Sequence, residues 1–390
     1  MKKQVLVFII AVWFSSVLTA GAYEFSPGAS LSLSEEYDDN ILLSKTNRES
    51  DFVTSVIPRV NLALRSADSE LRADYSPIFS YYNSHDELNT VSQVAGAHGR
   101  LQVSDKVSFA ADDILVISKE LRELIIVSDL GPVRRRAERL VNSLSGSLSY
   151  KPGGHFSYTL GGSYIDTSNK ESDLSDVNSY SGDAGIAYTL SERSTISANA
   201  RFTEYDYSAG NDADSQEYVL GITHRLTPTL TMSATGGAVL VNIERDVKRD
   251  VYFSGGLDLT KRFAQGSATF AYRQAVVPGL EEQSPLKSQV ISFRFEKPLT
   301  PRWALSISPA YSMFRSIGNS GSDSDVISIS SELTYNIRRW AGITFSYNYA
   351  NYRYKNNSAS DYYDNRIGVA LRLYYEKGRN TNNEWEPPKP

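Results

Sequence analysis

Apolar and polar side chains alternate along this chain in strand-length stretches from about Ala29 to Tyr375. A strand turns successive side chains to opposite faces, so each stretch predicts a strand with one apolar and one polar face. Tight connections are expected near Ala67, Asp105, Pro152, Glu192, Thr227, Phe263, Thr300 and Arg338. Several share turn chemistry, as in Leu226-Thr227-Pro228-Thr229 and Leu299-Thr300-Pro301-Arg302, where Pro, Ser and Thr pre-set turn dihedrals.

Between them lie long polar runs: Asp38–Ser50, Ser84–Thr90, Lys119–Leu140, Asp166–Asn178, Ser208–Ser215, Arg245–Arg249, Pro278–Pro285, Ile317–Asp325 and Lys355–Asp361. Alternating short and long connections between amphipathic strands predict an all-β fold, a transmembrane antiparallel up-and-down β-barrel. The connections imply about eighteen strands, with sixteen as the alternative. The least regular stretch is Lys106–Ser118, where Asp112 and Asp113 interrupt the alternation.

Phase assigns the faces. Ile291, Phe293 and Phe295 share one side of a strand, and Ser292, Arg294 and Glu296 the other. Apolar sides belong against lipid, where a midplane Arg or Lys costs about 2–4 kcal/mol. Polar sides then line the interior. Alternation places Arg59, Arg72, Asp74, Arg100, Arg201, Arg225, Asp258, Arg273, Arg294, Glu296, Glu332 and Arg372 inside. These twelve are the expected lumen-lining residues. They are mostly basic, which points to a hydrated, Arg-bearing lumen favouring anionic cargo. Tyr82, Tyr252 and Tyr352 are candidates for stacking on cargo, or for interface and core positions.

The ends add compartment information. Lys2-Lys3, the apolar run Val5–Leu18 and Ala20-Gly21-Ala22 read as a signal peptide over 1–22. The barrel is expected over 23–376, and the Pro-rich segment 377–390 as a disordered tail. Outer-membrane lipid and lipopolysaccharide are the surroundings this implies, in a bacterial cell outer membrane.

Composition agrees. The 25 tyrosines suit the two membrane interfaces, and a net charge of −5 argues against nucleic acid as a partner. The sequence contains no cysteine, and its four histidines, His85, His98, His155 and His224, lack metal-ligand spacing. No cofactor is expected, and no nucleophile or phosphate-cradling motif suggests an enzyme. Asp38-Asp39-Asn40 and Asp323–Asp325 are candidates for calcium or lipopolysaccharide bridging, although such loops are more often simply solvated.

Glu36-Tyr37-Asp38-Asp39-Asn40-Ile41, Ser50-Asp51-Phe52 and Pro58 resemble the opening of the putative β-barrel porin 2 family, as does Arg134-Arg135-Arg136. That resemblance implies an outer-membrane barrel associated with exopolysaccharide or exosortase loci. It implies a passive export channel with polysaccharide as cargo and periplasmic export components as partners. The alternatives are a general solute diffusion porin, or a structural or adhesive barrel acting through its loops.

Overall fold

A computed structural model describes residues 23–120, 136–171, 174–244, 250–279, 283–318, 323–355 and 361–376. The signal peptide read over 1–22, the tail over 377–390 and the centre of the Lys119–Leu140 insertion lie outside the described residues.

The first six strands are β1 (Glu24–Asp38), β2 (Asp51–Arg65), β3 (Ser69–Tyr82), β4 (Thr90–Ser104), β5 (Val107–Ser118) and β6 (Arg139–Gly153). Then come β7 (Phe156–Asn169), β8 (Val177–Ser191), β9 (Ser194–Tyr207), β10 (Ala213–Thr227), β11 (Leu230–Ile243) and β12 (Asp250–Arg262). The last are β13 (Ser267–Val277), β14 (Leu286–Pro298), β15 (Trp303–Ser316), β16 (Ser324–Arg338), β17 (Ala341–Tyr354) and β18 (Tyr362–Glu376). Every strand pairs with its sequence neighbours, and β18 returns to β1, closing an 18-stranded sheet. Closure removes the edges that an open sheet would expose.

The eight expected tight turns fall at the eight short connections, and the nine polar runs at the long ones. Thr227 shows how such a turn is held: its hydroxyl accepts the Leu230 N–H at 3.0 Å. Asp112 and Asp113 do not end β5, because they project to opposite sides of it.

Prolines leave a visible mark. The β2–β3 register runs from Val56↔Phe79 to Val60↔Tyr75, and the pairs between them are missing. Pro58 and Pro77 occupy that gap, and neither has an N–H to give the ladder. Ser76 Oγ donates to the Pro58 carbonyl at 3.2 Å and partly fills it. A second local device sits where β10 and β11 meet. A Cβ on Gly237 would stand 1.9 Å from the Tyr218 carbonyl oxygen, so any side chain there would force the strands apart.

The outer wall carries exposed apolar side chains such as Leu160, Phe202, Leu220, Phe253 and Ile367. An apolar wall exposed to its surroundings and a polar interior invert the layout of a soluble barrel.

Candidate functional site: the barrel interior

Serine and threonine dominate the inward face. Their hydroxyls pair across neighbouring strands: Ser92 with Ser118 at 2.9 Å, Ser181 with Thr203 at 2.9 Å, and Thr223 with Ser233 at 2.6 Å. Thr260 with Thr269 at 3.2 Å and Thr334 with Thr344 at 3.1 Å continue the series around the wall. Side chains directly opposite on adjacent strands are within reach, so a polar phase repeated strand after strand becomes a lattice of small hydroxyls.

The pairing register also locates the charges. Arg59 reaches Asp74 at 3.0 Å. Glu70 accepts from Arg65 at 2.8 Å and Arg72 at 2.6 Å, and Arg100 stands opposite it in register. Arg294 lies 4.0 Å from Glu296 on the same strand. Arg201, Asp258 and Arg273 line one interior cavity of about 800 Å³ bounded by β7 to β15. Arg225 follows the same phase as Glu217 on β10, towards the periplasmic turn. Glu332 is opposite Ser306 and Ser346, and Arg372 is opposite Ser32 and Gly342.

The lining is less basic than the alternation of the sequence suggests. Asp183 and Glu217 share the cavity, directly opposite Arg201 on either side. Glu217 accepts a hydrogen bond from Ser254. Glu70 joins the two arginines, and Asp112 faces His98 at 2.5 Å. Inward arginines are thus interleaved with inward acids, and the interior is a mixed-charge, hydroxyl-rich surface.

Tyrosines and loops close over parts of the extracellular end. Val177, Tyr205, Tyr207, Val239, Val241 and Ile243 form a buried cluster with Ile317 from the β15–β16 loop, and Tyr252 packs against it. Gly279 N–H donates to Tyr207 Oη at 3.3 Å, which ties the β13–β14 loop across the mouth. On the other side Tyr82 packs with Ile41 and Val53, and the Arg136 guanidinium lies 4.9 Å above its ring. Tyr352 stacks on Tyr362 at 4.6 Å. The three tyrosines considered for stacking on cargo therefore pack against protein. Asp323 and Asp325 are occupied by Arg315, at 3.7 Å and 2.5 Å.

Residues 18–128 match the family model for putative beta-barrel porin 2, and residues 137–242 match the one for Gram-negative porins. This is a porin-like outer-membrane β-barrel. The resemblance read from the first hairpin holds, and the second match covers strands in which the sequence alone showed only a general type. Among solved structures, Pseudomonas aeruginosa OpdL is similar at 10% identity and a TM-score of 0.46, covering 91% of this chain and 99% of that one. Acinetobacter baumannii OccAB4 is similar at 11% identity and a TM-score of 0.49, covering 90% and 98%. Pseudomonas aeruginosa OccK2, solved in complex with glucuronate, has 12% identity and a TM-score of 0.48, covering 89% and 98%. A comparison with curated proteins gives no match.

Proposed function

We propose that this barrel is a passive passage for hydroxyl-rich cargo, serving the export of a saccharide chain. The observation that carries the reading is the lattice of paired serines and threonines inside the wall. Each hydroxyl offers a donor and an acceptor, and so does each sugar hydroxyl. Exchanging hydrogen bonds worth about 0.5–1.5 kcal/mol apiece lets a chain slide without one deep trap. Interleaved charges serve the same end, since arginines already facing acids hold a passing polymer less tightly than free ones would.

The match over residues 18–128 supports export, because the family it describes is the one the first hairpin resembles. Periplasmic components that deliver the chain belong to the same proposal. The second reading is diffusion of small solutes, favoured by the Gram-negative porin match over residues 137–242.

Planar-bilayer recording on refolded protein tests the proposal. Neutral oligosaccharides should produce transient current blockades that polyethylene glycol of equal size does not. Equal blockades by both polymers would sink the saccharide reading and leave a size-limited solute pore. A folded protein that never conducts would remove both.

A further inference from the structure

The wall is not zipped to its rim everywhere. β12 and β13 pair from Arg262↔Ser267 only as far as Gly255↔Gln274. Above that rung each strand keeps its other neighbour: β12 stays with β11 up to Val241↔Asp250, and β13 with β14 up to Val277↔Leu286. Asp250–Ser254 and Ala275–Val277 therefore each present an unpaired edge in the extracellular half of the wall. Such an edge is costly beside hydrocarbon, because lipid offers its N–H and C=O groups no partner.

Phase shows where the missing partner has gone. Val276 and Lys287 stand opposite each other on the outward phase that also carries Phe270 and Phe293. Tyr252 is on the inward phase of β12, two residues before Ser254, which bonds Glu217 inside the barrel. Yet Val276 packs against the same interior cluster as Tyr252, and the Lys287 ammonium lies 5.8 Å from the Tyr252 ring. The outer side of one hairpin meets the inner side of its neighbour. The upper end of β13–β14 has thus passed inside β12 and leans into the lumen, where Val277 and Leu286 are buried. Side chains stand in for part of the lost ladder. Gln274 Nε2 donates to the Phe253 carbonyl at 2.7 Å, and Tyr205 Oη to the Val276 carbonyl at 3.5 Å. Gly256 allows the close crossing, since a Cβ there would stand 2.7 Å from the Tyr272 carbonyl oxygen.

We propose that the upper end of the β13–β14 hairpin is a gate built into the barrel wall, with two seats. In the seat the structure shows, it fills part of the upper lumen. In the other it swings outward about the Gly255↔Gln274 rung and zips onto the free edge of β12. Continuing the register then pairs Ser254 with Ala275 and Phe253 with Val276. The swing exchanges burial of Val276, Val277 and Leu286 for ladder hydrogen bonds, so neither seat makes every interaction open to it. It widens the passage beside the interior cavity, which Ser254, Gln274, Val276, Val277 and Pro278 help to line. The moving part is the wall itself, and its motion does not depend on the nature of the cargo.

The chain has no cysteine, so one engineered disulfide reports the second seat. Successive rungs alternate between hydrogen-bonded and closer, non-hydrogen-bonded geometry. One of the pairs Phe253→Cys with Val276→Cys and Ser254→Cys with Ala275→Cys therefore meets the spacing a disulfide needs. Each pair is oxidised in the refolded full-length barrel and recorded in potassium chloride alone, which keeps the result separate from the saccharide reading. The disulfide should form in folded protein, hold the larger conductance level continuously and abolish the smaller one. Reduction should restore switching between the two. Tyr218→Cys with Ala238→Cys, on a complete ladder, should cross-link without altering conductance. Failure of both gate pairs to cross-link while that control succeeds would overturn the proposal, as would a gate cross-link that leaves conductance unchanged. Gln274→Ala needs no cross-link and removes a bond made only in the inner seat, so it should lengthen the larger level. Unchanged dwell times in that variant would also count against the gate.

Discussion

Asn142 donates its side-chain amide to the Asp113 carboxylate at 2.8 Å on the outer side of the barrel wall. Asp113 shares that side with Phe109, Leu115 and Ile117, so a charge sits within the apolar band with one strong partner. Replacing Asn142 by Leu strands the carboxylate and should destabilise the barrel by about 1–3 kcal/mol. Replacing both residues by Leu removes the stranded group and should restore at least the parent stability. Urea unfolding in lipid vesicles checks this, and a single variant as stable as the parent would refute the pairing.

His85 binds the first two extracellular loops together, with Nε2 2.6 Å from Glu49 and Nδ1 3.2 Å from Asp51. Hydrogen bonds to Glu49, then to Asp51, raise its pKa above the ordinary value of 6.5. A group raised on folding stabilises fully below its unfolded pKa and loses that contribution as pH climbs through the folded one. The loop around Ser84–Asn89 should therefore resist protease near about pH 5.5 and become cleavable towards about pH 8.5. The His85→Ala variant should be cleaved readily at both. A parent loop equally resistant across that range would show that His85 is not the latch.

The architecture was legible because period-2 alternation and turn chemistry are local signals. Where neighbouring residues on both faces are small or polar, the phase disappears. Asp183 sits in Ser181-Gly182-Asp183-Ala184-Gly185, and Glu217 follows Gln216, so neither could be assigned a side with the arginines. Asp112-Asp113 is the same problem, one acid facing in and the other out. Asp38 and Asp364 meet only because the sheet closes, and nothing local links residues so far apart. The packing of Ile317 depends on how two loops fold over the mouth, which no strand pattern encodes.

The interleaved acids change what arginine substitutions should do. Changing Arg201, Arg294 and Arg372 together to Gln should shift ion selectivity towards cations. Changing Asp183 to Asn and Glu217 to Gln should shift it towards anions. Both acids face Arg201 in register, so the second pair should act strongly. Reversal potentials in a salt gradient measure both shifts. If the acid variants left selectivity unchanged while the arginine variant abolished it, the lumen would be governed by its arginines alone.

Ile317 separates the wall from its cover. It is 1% exposed and belongs to the cluster of Tyr207, Val241 and Ile243, and its N–H donates to the Pro285 carbonyl at 3.2 Å. Changing it to Ser removes a buried aliphatic group and leaves a hydroxyl among apolar neighbours, a cost of about 2–5 kcal/mol in a closed core. Here the strands remain held by the closed ladder, so that cost falls on the two loops. The unfolding temperature should move little, while hydrogen exchange of the Gly279 and Ile317 amides, which are held by Tyr207 and Pro285, accelerates. Open events in bilayer recordings should become longer or more frequent, whereas Leu42→Ser, at a residue 43% exposed, should change neither. Faster exchange with unaltered conductance would mean that these loops cover the mouth without gating it, and that the constriction lies deeper in the lumen.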